Sequence, residues 1–171
     1  MYRILGNQVI EHFKNSLFQS FNDNVLNEKV TPVEGSVLYC DLAFSLVEHS
    51  GIYIGNNEIV HLDGSGVVEV VSPREFLGRL NGFNNAISIY VSCNGESAVG
   101  SNSVASRARA MVGEILDYNL ILNNCHQFSS GCLTDNFRNL DIILSMLQQR
   151  AEESMGANTW RVWETDNRDL L

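Results

Sequence analysis

Long hydrophobic runs are missing from this 171-residue chain. No stretch approaches the roughly 18 apolar residues a transmembrane helix needs, so no span is expected. A secretion signal is not expected either, because Met1 to Leu5 runs straight into Glu11, His12 and Lys14 with no apolar core and small-residue cleavage site behind it. Basic charge is scarce, 11 Lys and Arg against 20 Asp and Glu, for a net charge of −9. That balance argues against nucleic acid and against strong adsorption to anionic lipid, both of which need cations to neutralise phosphate. A neutral lipid or a peptide remains open as a partner. Cys-x-x-Cys and His-x-x-x-His pairs are also absent, which leaves the usual metal spacings unfilled.

The composition that remains is that of an ordinary globular protein, with 44% hydrophobic and 18% charged residues. The length suits one domain with a genuine core. Cys40, Cys93, Cys125 and Cys132 could form two disulfides, but without a signal segment a reducing cytoplasm is the expectation, and free thiols with it. A compact intracellular domain of this kind suits a bacterium.

Ile10, Phe13, Leu17, Phe18 and Phe21 give an amphipathic helix over 7–27, read as packed on the core. Pro32 to Gly35 is a turn, and strands follow over 36–42, 49–54, 58–62 and 67–71. Ser72 caps a helix beginning at Pro73 and reaching Leu80, and 86–92 is another strand. Residues 95–103 read as a loop and 104–116 as a helix. Further helices are expected over 124–133 and 140–153; the segment from Trp160 onward has no assignment.

Two segments concentrate the chemistry. In the first, Ile52, Ile54, Val60 and Leu62 are all even-numbered, and strand side chains alternate between faces. Burying all four together requires Ile54 opposite Glu58 and Ile52 opposite Val60, around the loop Gly55-Asn56-Asn57. The other face then carries His49, Gly51, Tyr53, Ile59 and His61, with the two imidazoles within reach of each other. In the second, Asn123 and Asn124 are good caps for a helix whose first turn holds Cys125, where unpaired amides and the helix dipole should stabilise a thiolate. A thiol, an imidazole to take its proton and a group to fix that imidazole make a cysteine enzyme.

Plainer readings compete. Either histidine alone would pass for a half-buried strand residue hydrogen-bonded to backbone. Cys132, Cys40 and Cys93 read as small core side chains. His49, His61 and Cys125 could instead hold zinc with His126 or Cys132 as a fourth ligand. His126 should point away from Cys125 on a regular helix, towards the surface or the outer rim of a site.

Pro32-x-x-Gly35, His49-x-Gly51-Ile52-Tyr53-Ile54-Gly55 with Ile59-Val60-His61, and Asn124-Cys125-x-x-Phe128 together resemble the lecithin retinol acyltransferase-like domain. The resemblance covers about residues 32 to 135. It implies an α+β fold of the circularly permuted papain-like (NlpC) superfamily, an antiparallel sheet packed against helices with the nucleophile at a helix N-terminus. On this reading 1–30 is a helix packed on the core, 31–135 the catalytic domain, and 136–171 a C-terminal helix and tail of the same globule. Cys125 would be the nucleophile, His49 the general base and His61 its orienting partner, with the Cys125 amide an oxyanion donor and no metal or cofactor. Tyr53, His126 and Asn124 are candidates to line the substrate. The implied reaction passes through a thioester, on a lipid ester first or on a peptide amide as in other members of the superfamily; a binding module that has kept only the fold is the third possibility. Two departures stand out. His126-Gln127 replaces the Glu-His that commonly follows the cysteine. The segment 136–171, with Arg138, Asp141, Arg150, Glu152, Glu153, Arg161 and Glu164, is not expected to form a membrane anchor of the kind phospholipid-acting members often carry.

Overall fold

Four even-numbered apolar residues dictate the hairpin at the centre of the molecule, and the computed structural model has their register. The structure describes residues 29–42, 47–78, 88–116 and 124–164; the helix expected over 7–27 lies outside them. Strand β2 (Val47–Tyr53) pairs antiparallel with β3 (Ile59–Leu62), placing Ile52 opposite Val60 and Tyr53 opposite Ile59. The turn needs Gly55, Asn56 and Asn57 at φ of 92°, 51° and 57°, a left-handed run that glycine and asparagine tolerate best.

β1 (Val37–Leu42) lies on the other side of β2, and β4 (Val68–Val71) lies beyond β3. β5 (Ile89–Asn94) pairs with β1 and carries both β6 (Ser97–Ala98) and β7 (Thr159–Val162). Among the described residues this makes one antiparallel sheet in the order β4-β3-β2-β1-β5-β6, with β7 also on β5. β7 fills the segment that the sequence pattern leaves unassigned. Its pairing partner is some seventy residues away, and four residues hold too little periodicity to announce a strand.

Helices cover the sheet. α1 (Pro73–Leu77) starts from a complete capping box between Ser72 and Glu75 and stops at Gly78, short of the expected Leu80. α2 (Asn102–Ala110) begins two residues earlier than its apolar spacing indicates and ends well before Leu116. The chain turns at Gly113 (φ 91°) instead, and the backbone of 113–115 bonds to Val68 and bridges Val67 beside β4. α3 (Cys125–Thr134) matches its expected span with Asn124 as cap. α4 (Leu144–Met155) starts four residues later than expected. The residues before it are held by side chains: Asn139 bonds the Gln127 carbonyl, and Asp141 bonds Ser130 and Arg150.

Alternation divides the core in two. Val37, Tyr39, Ile52, Ile54, Val60 and Leu62 face α2, α3 and α4, meeting Val104, Ala108, Phe128, Cys132 and Leu147. Leu38, Cys40, Tyr53, Ile59, Ile89 and Cys93 face the opposite way, against Phe76 of α1 and Trp163. Gly35 packs closely against the chain entering α2, since a Cβ there would lie 2.0 Å from the Ser101 carbonyl oxygen. Among the described residues no helix is long and apolar enough to cross a membrane.

Candidate active site

The β2–β3 ladder stops after two residue pairs. Above the stop, Tyr53 directs its N–H and C=O towards β1, bonding Ser36 and Gly35. Backbone direction alternates along a strand, so Glu48 and Ser50 direct theirs towards the side that β3 leaves open. Cys125, the first residue of α3, brings its sulfur to that backbone. Sγ lies 3.9 Å from the Glu48 carbonyl oxygen, to which the thiol can donate, and the Ser50 amide and hydroxyl lie near enough to favour its anion. Sulfur thus lies beside the chain neighbours of His49 on either side.

His49 projects from the opposite face of β2, as the alternation requires. Its Nε2 lies 2.6 Å from Nδ1 of His61, with the rings perpendicular and their centroids 4.8 Å apart. Both rings pack on Phe76, at 5.0 and 5.8 Å. His61 is fully buried and His49 nearly so. Gly51, two residues along β2 from His49, has to be small: a Cβ there would meet Ile59 Cγ2 and the Val60 carbonyl oxygen at 2.9 Å. Beyond His61, Oε1 of Glu69 lies 3.5 Å from Nε2.

Cys125 is 4% exposed, and burial pushes its thiol above its ordinary pKa. Hydrogen bonds from the Ser50 amide and hydroxyl and from the amides of His126 and Cys125 pull the other way and lose. The helix start therefore does not deliver the depressed pKa expected from its dipole. Desolvation of an anion outweighs a few aligned amides at this depth, and the resting group is the neutral thiol.

Of the two positions expected for His126, at the surface or behind the site, the structure has the second. The ring lies in the interior, with Nδ1 3.0 Å from Ser50 Oγ, which is itself 3.0 Å from Ser129 Oγ. Burial lowers its pKa to about 4. In the unfolded chain the same imidazole takes a proton near 6.5, so below that pH the unfolded state binds more protons and stability falls. The loss should set in below pH 6.5, grow down to pH 4, and total about 3 kcal/mol. Urea unfolding at pH 7.5 and 4.5 measures it, and His126→Gln should flatten most of the difference.

The remaining candidates take these positions. Asn124 is committed to capping: its side-chain oxygen accepts from the His126 and Gln127 amides, and its Nδ2 donates to the Ile142 carbonyl at 2.7 Å. Tyr53 stacks edge-on against Trp163 at 5.2 Å in the layer that holds Phe76. All four cysteines are free thiols. Among the described residues no three His, Cys, Asp or Glu side chains are placed to hold a metal ion. Ser50 and Ser129 were missed by the motif reading. The available signal was parity, because Ser50 is a polar residue on the even-numbered, buried face of β2.

A protein-family model, described as lecithin retinol acyltransferase, matches residues 31–138 of the chain. No curated protein matches it.

Proposed function

The chain belongs to the lecithin retinol acyltransferase family, and from that premise we propose that it is a cysteine-dependent acyl hydrolase or acyltransferase working through a thioester on Cys125. One observation carries the reading: the sulfur at the start of α3 rests on residues 48 and 50, while Nε2 of the intervening His49 is taken up by His61. That leaves Nδ1 of His49 as the nitrogen to serve the thiol.

In this mechanism the substrate carbonyl docks at the start of α3. His49 takes the S–H proton as sulfur attacks the carbonyl carbon, so the anion forms only when it is being consumed. The raised thiol pKa fits that order of events. The Cys125 amide donates to the developing oxyanion. Collapse of the tetrahedral intermediate expels the alcohol or amine, which leaves with the proton held by His49. Water or an acceptor alcohol or amine then attacks the thioester by the reverse sequence and regenerates the thiol. His61 holds the His49 ring in place throughout.

A lipid ester is the preferred substrate class. Asn124, next to the nucleophile, is fastened to Ile142, and that stretch and the start of α4 expose Leu140, Ile143 and Met146. Exposed apolar side chains on the segment fastened to the cap of α3 suit an acyl chain better than a polar peptide. Matched substrates test this: neutral long-chain glyceryl or phosphocholine esters against an N-acyl dipeptide amide. Hydrolysis or transfer of the esters, faster by at least about 10-fold in kcat/KM (about 1.4 kcal/mol of transition-state preference), is expected; faster amide cleavage would replace the lipid reading with an amidase. The burial of Cys125 favours a second reading, a binding module without turnover. A thiol inert to iodoacetamide in the native chain at neutral pH would favour that module.

A further inference from the structure

The contact between His49 Nε2 and His61 Nδ1 holds one proton at 2.6 Å, and its owner decides whether His49 can be a base. With the proton on His61 Nδ1, His49 accepts through Nε2 and must carry its own proton on Nδ1, where the lone pair is needed. With the proton on His49 Nε2, Nδ1 is free of hydrogen and His61 must be protonated at its far nitrogen, Nε2. The choice therefore rests on what His61 Nε2 faces.

It faces a carboxylate. Glu69 stands directly opposite His61 in the antiparallel β3–β4 register, with Oε1 3.5 Å from Nε2, an ion-pair contact rather than a formed hydrogen bond. Directly opposed residues share a face, so Glu69 belongs to the layer of Ile59, Val71 and Phe76. His61 is fully buried, whereas the Glu69 side chain is 38% exposed and keeps part of its hydration. The carboxylate attracts an N–H at the near nitrogen, and more strongly in the protein interior than in water. Among the described residues, the groups brought up to His61 include His49 from β2, Glu69 from β4 and the Phe76 ring from α1.

We infer that Glu69 is a positioning residue: it holds the His61 proton on Nε2, which makes His61 Nδ1 an acceptor, His49 Nε2 a donor and His49 Nδ1 the free base. The relay runs Glu69, His61, His49, Cys125, one member longer than the motif indicates. The inference rests on the proposed role of His49. The plainer account of Glu69 is an inward charge on the edge strand β4 that discourages pairing with another chain.

Nitrogen-15 NMR of the full chain labelled at histidine distinguishes the two, with His49→Gln and His61→Gln spectra assigning the signals. Wild type should show both rings protonated at Nε2. Glu69→Ala should move His61 to a mixture of tautomers and slow alkylation of Cys125 by iodoacetamide about 10-fold, the lower end for loss of an outer partner. Glu69→Gln, whose amide oxygen still accepts, should restore most of both. An unchanged His61 tautomer in Glu69→Ala, or wild-type His61 protonated at Nδ1, overturns the inference. Indifference of wild-type Cys125 to His49→Gln would instead overturn the acyl-transfer reading, and the tautomer measurement would still decide the role of Glu69.

Discussion

Replacing Cys125 by alanine should remove turnover of any ester or amide the chain acts on, by on the order of 10⁶-fold, the scale seen when a covalent nucleophile is deleted. Nothing else described here can take over. Cys132 is two turns along α3, fully buried, and desolvation drives its pKa far up. Ser50, although bonded to His126, is also fully buried. The fold should survive, because alanine keeps the backbone of α3 and the Asn124 cap while losing one small side chain; the stability change should stay within about 1–2 kcal/mol. Steady-state kinetics on the preferred ester, with a urea melt as control, measures both. Substantial residual turnover would move the nucleophile elsewhere.

His49→Gln should lower kcat/KM by about 10³-fold, within the range for loss of a general base. Glutamine roughly preserves the volume packed on Phe76 and can still hydrogen-bond towards His61, so the variant separates proton transfer from packing. The thiol of this variant should also alkylate more slowly at neutral pH, since burial holds it protonated and the proposed base is gone. The deficit should shrink as pH rises and hydroxide takes over the deprotonation. Equal rates in wild type and variant across the pH range would mean that His49 never receives the Cys125 proton.

Much of this arrangement could be read from residue types and parity. Ile52, Ile54, Val60 and Leu62 set the hairpin register, and that register alone brings His49 and His61 to one face. Asn124 announces the start of α3, and Pro73 after Ser72 announces α1. Other features arise from tertiary contacts that no local pattern carries. The early end of the β2–β3 ladder, which leaves the Ser50 amide and Glu48 carbonyl to the sulfur, depends on how α3 packs. Bonds from Asn139 and Asp141 to α3 and α4 delay the start of α4 beyond Leu140. The thiol pKa runs against the sequence pattern because dipole and amides are visible near Cys125, while the depth of burial that defeats them is a property of the whole fold.

Intact-mass spectrometry of the chain mixed with an activated long-chain ester, quenched in acid within seconds, addresses the central step most directly. The account predicts a single added acyl group, mapped by peptide digestion to Cys125, released by neutral hydroxylamine, slower to form in His49→Gln and absent from Cys125→Ala. No adduct, or one equally abundant in Cys125→Ala, would contradict it.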